Sequence, residues 1–486
     1  MTSVPIADTG VRLRADPSRL VTRFFVPGRE DSGPGDSRAT PVVERILAID
    51  ELTVGPLVAD LDERFSGHHR DLHATFLAHA DMISTRVPHG TVLTPARQLL
   101  LGASFTHEYS IEGAALCNPS IVVAPDQPPE GPCRFVMSVR CIGEGHRSSI
   151  GFRTGTISDE GVVTVDEPGI FCETNRSSPG ANDRSVFHAS LSALNDDHEN
   201  AAKVLDALPD RFSDEQLEMQ ISLLESDSLT RRNTANTIGH LRDVARASYV
   251  AHFNPSTSIS ERVLWPQTAA ESHGMEDARF VQFTSDAGER TYCATYTAYD
   301  GANISQQLLE TTNFERFTST PLAGPAAAGK GLALFPRKIH GRYAALSRSD
   351  RETNSIAFST DIHHWPTSET IQVPTRPWEI LQLGNCGSPI ETERGWLVLT
   401  HGVGPMRTYT LAAILLDIDE PRTIIGRSPS PILEPGALGS TGYVPNVVYS
   451  CGALARHDTL VLPYGIADQS IGIATLSISN LLDTMI

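Results

Sequence analysis

Five segments rich in β-forming residues recur along this chain, and this repeat limits its fold more than any other feature. They are CRFVMSVR (133–140), TYCATYTAYD (291–300), RYAALSRSD (342–350), GWLVLTHGV (395–403) and TLVLPYGIAD (459–468). A second strand-like run follows each segment after a short turn. Successive segments start 158, 51, 53 and 64 residues apart. The last three steps approach the period of roughly 40–50 residues that is typical of propeller blades.

The repeat predicts an all-β five-bladed β-propeller over residues 105–486, with two flanking strands completing each pair. A two-sheet sandwich is the alternative for a chain with many short strands. Polar residues recur at the ends of the first strands and favour the propeller, because they would surround a central funnel.

Two stretches outside the repeat have helical periodicity. Apolar residues at spacings of three and four between residues 42 and 101 predict a helical N-terminal extension over residues 1–104. The long first step of the repeat contains a second helical stretch, predicted as an insertion at residues 186–250. Nothing in the extension resembles a catalytic site, so packing or homo-oligomerisation is its expected role. The insertion is a candidate lid over the funnel or an oligomer contact.

The composition argues against some classes of partner. The net charge of −19 and pI near 5.3 disfavour a nucleic-acid surface and an anionic membrane. No apolar run approaches the roughly 18 residues of a membrane span, and the N-terminus lacks the apolar core of a secretory signal. Seven scattered cysteines without a CxxC pair favour free thiols in a cytoplasmic protein. The spacing of the histidines and acids indicates no metal site.

The segment His273–Phe280, HGMEDARF, joins two carboxylates and an arginine at the start of a strand-like run. An ion pair at the strand start is the structural explanation, and an acid–base site is the functional one. Other strand ends and turns carry groups that suit a sugar: Asn118, Tyr299, His401, Tyr464 and Asp468. Four basic residues would supply an anion site: Arg147, Arg279, Lys338 and Arg348.

Seven strings of the chain resemble motifs of glycoside hydrolase family 130, the β-mannoside phosphorylases and β-1,2-mannosidases. They are CNPSIV (117–122), MEDARF (275–280), ALFPRKIHGRYAALSR (333–348), GSPIETERGWLVLTHGV (387–403), LLDIDEP (415–421), GYVPNVVYSCG (442–452) and PYGIAD (463–468). They occur in family order and cover about residues 105–486. The resemblance implies a five-bladed propeller, and the helical additions resemble a longer-chain branch of the family.

The resemblance also implies a reaction. Asp277, the aspartate of the EDxR motif, would be the general acid of an inverting mechanism, its proton passing through a hydroxyl of the sugar. Inorganic phosphate, as co-substrate and without any other cofactor, would then attack a β-mannoside and release mannose 1-phosphate. Lys338 and Arg348 match basic positions of the phosphorylase motifs.

Two other functions stay open. A hydrolase would need a second carboxylate to activate water, and Glu391 and Glu379 are the candidates. The chain has Ser347 where phosphorylases often have histidine, and Tyr443 where many have aspartate. The third alternative is a sugar-binding propeller without activity.

Overall fold

The computed structural model describes residues 5–28, 38–226 and 233–486, and these residues form two compact units. The larger unit contains Ala114–Pro168, Thr174–Ile486 and the strand Ala7–Arg14. The smaller unit contains Asp16–Gly113 and Gly169–Glu173. Part of the loop near residue 30, and residues 227–232 of the predicted insertion, lie outside the described residues.

Most strands of the larger unit form five antiparallel sets of four or five, called sets 1 to 5 in chain order. Set 1 contains Ala115–Val123, Cys133–Ile142, Ser148–Ile157 and Val163–Val165, and set 2 contains Gly274–Thr284, Arg290–Tyr299, Ile304–Thr311 and Arg316–Pro321. Set 3 contains Ala333–Leu334, Tyr343–Ser347, Asn354–Ser359 and Ser368–Gln372, and set 4 contains Gln382–Asn385, Ile390–Thr392, Gly395–Gly404, Thr408–Leu416 and Ile424–Arg427. Set 5 contains Val448–Tyr449, Leu454–Arg456, Thr459–Ile466, Ser470–Ser477 and the N-terminal strand Ala7–Arg14. A parallel bridge between Ser148 and Gly274 joins sets 1 and 2.

The larger unit has further short strands: Arg176–Pro179, Asn182–Asp183, Arg211–Phe212, Tyr249–His252 and Arg262–Leu264. The two-residue strand Glu173–Thr174 includes the last residue of the smaller unit. Its 3₁₀ turns lie at Glu144–His146, Ile259–Glu261, Ala269–Glu271, Pro325–Ala327, Pro377–Glu379, Pro405–Arg407 and Ala437–Gly439.

The N-terminal strand completes set 5 and corrects the prediction that residues 1–104 are one helical extension. Ala7–Arg14 pairs antiparallel with Ser470–Ser477, with Asp8 opposite Ala474. The Thr9 hydroxyl donates to the Ile473 carbonyl at 2.7 Å. The first and last strands of the described residues therefore belong to one sheet, a long-range pairing that local periodicity cannot reveal.

Buried strands explain the apolar runs of the sequence. Every residue of Gly395–Gly404 is buried, so the strand has no alternating polar face. The core between sets 3 and 4 includes Phe335 and Trp396, whose rings meet edge to face at 5.1 Å. Set 2 contributes to a separate core in which Phe280 stacks on Phe314 at 5.8 Å.

Two β-bulges reorient side chains in the first strands of sets 1 and 2. The pairing register shifts at Asn118 in set 1 and at Asp277 in set 2. Both residues have positive φ, 49° for Asn118 and 57° for Asp277. Asn and Asp tolerate this left-handed conformation better than other side-chain-bearing residues. A bulge re-aims the side chain of its extra residue, and these two are aimed at each other.

Helices interrupt the strands between sets 1 and 2 and end the chain. They are Arg184–Ala193, Glu199–Asp206, Asp214–Ser226, Thr234–Arg246 and the C-terminal Ile478–Thr484. The first four share their own apolar core, which includes Phe187, Leu205, Ile221 and Leu241.

The smaller unit packs four helices beside a two-stranded sheet. Its helices are Ala39–Ala48, Glu51–Phe65, Leu72–Ile83 and Pro95–Ser104, with a 3₁₀ turn at Ser84–Arg86, and its strands are Leu20–Phe24 and Thr106–Ser110. The buried Arg97 guanidinium donates to the Ile46 carbonyl at 2.6 Å, the Ile49 carbonyl at 2.8 Å and the Glu51 carboxylate at 2.5 Å. None of the helices described in the chain is long and apolar enough to cross a membrane.

Gly102 allows two helices of the smaller unit to touch, and its replacement should destabilise that unit. A Cβ at Gly102 would lie 1.7 Å from the Phe76 carbonyl oxygen. We expect G102A to lower the free energy of unfolding by about 1–3 kcal/mol or more, since overpacked contacts cost that much. Urea unfolding followed by circular dichroism measures the change.

The control is G239A, in helix Thr234–Arg246, where an added Cβ meets nothing within 4 Å. It should leave stability unchanged or raise it by up to about 1 kcal/mol. Equal destabilisation by G102A and G239A would contradict the close helix contact.

Candidate active site

The Asp277 carboxylate lies among polar side chains from other strands and loops. The Asn118 amide donates to Asp277 Oδ1 at 2.5 Å, and Arg140 Nη1 is 3.4 Å from the same oxygen. The neighbouring Glu276 accepts from Arg140 Nη2 at 2.6 Å and from Lys330 Nζ at 2.5 Å. Two carboxylates and two cations therefore form one connected network.

Arg279 lies behind Asp277 and is 2% exposed. Its Nη1 donates to the Asp277 backbone carbonyl at 3.1 Å, and its Nη2 donates to the Tyr449 hydroxyl at 2.8 Å. Since a buried guanidinium needs partners, these bonds link set 2 to set 5 at the carboxylate. Asp277, Glu276, Arg140, Arg279 and Lys330 are called the acid–cation cluster below.

Two glycines let Arg348 approach this cluster. A Cβ at Gly331 would lie 3.5 Å from Arg348 Cβ and 4.0 Å from Arg279 Nη2. A Cβ at Gly384 would lie 2.5 Å from Arg348 Cδ and 2.6 Å from His401 Cε1. Arg348 and His401 therefore both pack against Gly384, and any larger residue at position 384 would displace them.

Several buried polar atoms around the cluster lack a protein partner in the described part of the chain. They are Asn118 Oδ1, Arg140 Nε, Arg279 Nε, Arg348 Nε, Asn385 Oδ1 and His401 Nε2. Buried polar atoms in folded proteins are normally hydrogen-bonded. Their concentration here indicates a surface that binds a polar ligand.

The cations determine the charge of Asp277. Burial raises the pKa of its carboxyl, but the charges of Arg140, Arg279 and Lys330 and the hydrogen bond from Asn118 outweigh burial and lower the pKa below its usual value. Without a ligand the carboxyl is therefore ionised at neutral pH.

Two further groups near the cluster titrate abnormally. Burial raises the pKa of Asp468 to about 6, with Arg140 opposing the rise and Asp277 adding to it. Burial and the neighbouring charges of Arg348 and Arg279 hold the pKa of His401 well below its usual value, so its imidazole is neutral. His401 Nδ1 lies 3.7 Å from Cys386 Sγ.

The structure brings together six residues that the sequence predicts for the site: Asn118, Asp277, Arg279, Arg348, His401 and Asp468. Arg140 and Lys330 are the additional cations. Arg140 is a strand-end residue of set 1, and Lys330 lies between Gly329 and Gly331 in the loop before set 3. The glycine–lysine–glycine sequence was the signal available for Lys330.

The structure places Lys338 away from the cluster, and this corrects the prediction that Lys338 is an anion ligand. Its Nζ pairs with Asp286 at 3.3 Å and lies 4.7 Å from the centre of the Tyr343 ring. The adjacent Arg337 forms a parallel β-bridge with Thr284, the last residue of the strand that begins near Asp277. Lys338 is therefore at the opposite end of that strand.

The two glutamates predicted as hydrolytic bases have structural partners elsewhere. Glu391 is exposed and accepts from Arg337 at 2.7 and 2.9 Å. Glu379 is buried and accepts from the backbone N–H groups of Thr375 at 3.1 Å and Arg376 at 3.2 Å. These contacts correct the assignment of either residue as a base facing Asp277.

Three other predicted ligands make contacts of their own. The Tyr299 hydroxyl donates to the Gly301 carbonyl at 2.7 Å. Tyr464 packs over Gly472 in set 5, where an added Cβ would lie 2.9 Å from its ring. Arg147 lies 5.9 Å from the centre of the Trp265 ring.

The fold and the site together define a β-sheet protein with a candidate acid–base centre in cationic surroundings. A sequence model described as β-1,4-mannooligosaccharide phosphorylase, of glycoside hydrolase family 130, matches residues 247–486. A 1,2-β-oligomannan phosphorylase of Thermoanaerobacter sp. (strain X514) is 33% identical over 228 residues, which are 46% of this chain and 75% of that protein. The chain belongs to glycoside hydrolase family 130.

Another relative and one solved structure are also similar to this chain. A β-1,2-mannobiose phosphorylase of Listeria innocua is 32% identical over 248 residues, covering 49% of this chain and 67% of that protein. A solved structure of a Listeria innocua β-1,2-mannobiose phosphorylase with β-1,2-mannobiose aligns with a TM-score of 0.47 at 22% identity, covering 78% of this chain and 93% of that one.

Replacing Asn118 should shift the pH dependence of a reaction that uses Asp277 as its acid. The Asn118 bond favours the ionised carboxylate, so N118G should raise the pKa of Asp277. The Asp277 carboxyl then stays protonated to higher pH, and the alkaline limb of the kcat/KM profile shifts to higher pH. Glycine is chosen because it accepts the positive φ of residue 118.

The control is N195G, an exposed position of the helical insertion that also has positive φ, 53°. Its pH profile should equal that of the wild type. An unchanged alkaline limb in N118G would show that Asp277 is not the titrating acid.

Proposed function

We propose that this protein is a phosphorylase that cleaves β-mannosides with inorganic phosphate and releases mannose 1-phosphate. The observation that carries the proposal is the set of cations around one buried carboxylate: Arg140, Arg279 and Lys330, with Arg348 beside them. The two glutamates suggested as hydrolytic bases are bonded elsewhere. The named activities of the relatives support the same reaction.

Asp277 acts as the general acid, and bound phosphate prepares it for that role. An anion beside Arg140 and Lys330 offsets the charges that lower the pKa of Asp277. Its pKa therefore rises when phosphate binds, and the carboxyl can carry the proton that the leaving sugar needs. Asn118 holds this carboxyl in position.

Phosphate is the nucleophile and needs no second carboxylate. Lys330, Arg140 and Arg348 supply the positive charge and N–H donors that bind it. Glu276 partly neutralises Arg140 and Lys330 in the absence of phosphate and keeps their side chains in place. Arg279 contributes charge from behind the carboxylate, and Arg147 is an outer contact.

The mannoside is held by Asn118, His401 and Asp468 near the cluster, with Tyr299 and Tyr464 as more distant contacts. The unpartnered oxygens of Asn118 and Asn385 accept from sugar hydroxyls. The reaction needs no metal or organic cofactor. The five strand sets form the five blades of a propeller, with Ala7–Arg14 closing the last blade.

An inverting β-mannosidase is the second candidate, and Ser347 favours it. Phosphorylases of this family often have histidine here, whereas the buried Ser347 hydroxyl donates to the Ala326 carbonyl at 2.6 Å. Ser347 is therefore not available to an anion. Asp468, with its pKa of about 6, would have to serve as the base of such an enzyme.

The reaction itself is tested by incubating the protein with β-1,2- or β-1,4-mannobiose, with and without phosphate. We expect mannose 1-phosphate to form only with phosphate, and D277N to abolish it. Equal release of free mannose under both conditions would identify a hydrolase. No turnover of any β-mannoside would identify a binding protein.

Two lysines eight positions apart test the anion site. K330M removes a charge from the cluster, so KM for phosphate should rise at least about tenfold. This is the effect of losing one charged hydrogen bond, which is worth about 1.5–3 kcal/mol. K338M removes the lysine that pairs with Asp286, so its steady-state constants should stay within about twofold of wild type. A larger effect of K338M than of K330M would overturn the assignment.

A further inference from the structure

A second group of chemically reactive side chains lies in the smaller unit. His68 Nδ1 and His69 Nε2 each lie 2.8 Å from the same oxygen, Oε1 of Glu108. The three ligand atoms are all within 4.8 Å of one another. Among the described residues, this is the one group of at least three histidine, cysteine or acidic side chains with that geometry.

The backbone explains why consecutive histidines converge. On a helix, neighbouring side chains point about 100° apart, because the helix has 3.6 residues per turn. His68 and His69 instead follow the end of helix Glu51–Phe65 in a turn, which directs both rings to Glu108. Glu108 is the central residue of strand Thr106–Ser110 and is held opposite Thr22.

The surroundings suit an ion that enters from solvent. The His69 side chain is 8% exposed, whereas that of His68 is 45% exposed. His69 and Glu108 line a cavity of about 320 Å³, whose wall also includes Phe65 and Phe76. This space can hold a water molecule as a further ligand. Arg64 lines the same cavity, and Asp60 neutralises it at 2.6 Å.

We propose that His68, His69 and Glu108 bind one divalent transition-metal ion, with zinc preferred. Two imidazole nitrogens, one carboxylate oxygen and a water molecule make a four-coordinate zinc site. Imidazole-rich sites also suit nickel and copper. Binding requires the lone pairs of His68 Nδ1 and His69 Nε2, so the proton of each ring lies on its other nitrogen.

The ion would fasten the end of a helix to a strand of the smaller unit. A metal that binds the folded form and not the unfolded form stabilises the folded form. The spacing rules of metal motifs miss this site, because 38 residues separate His69 from its carboxylate ligand. The sequence expectation of no metal site rested on those rules.

The test measures zinc binding by the full-length chain without a histidine tag. After chelator treatment and dialysis, zinc is titrated in competition with a chromophoric chelator. We expect one zinc ion per chain for the wild type, and at least tenfold weaker binding for E108Q and H68Q. H68Q keeps the fold available for measurement, because His68 is half-exposed.

The matched control is H73Q, a histidine of the same unit that pairs with Asp62 at 2.8 Å. H73Q should bind zinc like the wild type, and zinc should raise Tm in both but not in E108Q. The proposal is overturned if the wild type binds no zinc at about 0.1 mM, or if E108Q and H68Q bind it as tightly as the wild type. Neither readout depends on the proposed phosphorolysis.

Discussion

One electrostatic constraint organises the site: the Asp277 carboxylate is buried next to more positive than negative charge. Burial alone would raise its pKa, but the cations outweigh burial and keep the carboxylate ionised until a ligand intervenes. Glu276 offsets part of the charge by bridging Arg140 and Lys330. Removing water from several like charges is costly unless a counter-ion is present. In the proposed reaction, this centre binds an anion and couples that binding to the proton of its acid.

The backbone is arranged to create this constraint. The bulge at Asp277 turns its carboxylate toward Asn118, and the bulge at Asn118 turns its amide toward Asp277. The glycine at position 384 gives Arg348 room beside His401. Each feature is costly or neutral for the strand that carries it, since a bulge breaks ladder pairing and glycine weakens a strand. Local rules of strand formation are therefore broken at this site, as is expected of functional sites.

The sequence predicted most of the strands, because buried β-runs keep their apolar signature whatever their partners. It also located Asp277, Asn118 and Arg348 by motif. It missed pairings between distant segments, so Ala7–Arg14 was assigned to a helical extension instead of to the last strand set. Lys338 was predicted as an anion ligand and Lys330 was not considered, because only the fold decides which of the lysines near one motif lies at the cluster.

The acid–cation cluster is proposed to bind the attacking phosphate, and locating a bound anion tests this most directly. Arsenate mimics phosphate and scatters X-rays anomalously, so a crystal soaked in arsenate reports the position of the anion. We expect an anomalous peak in contact with Lys330 and with Arg140 or Arg348. A peak at Lys338, or no peak beside Asp277, would contradict it.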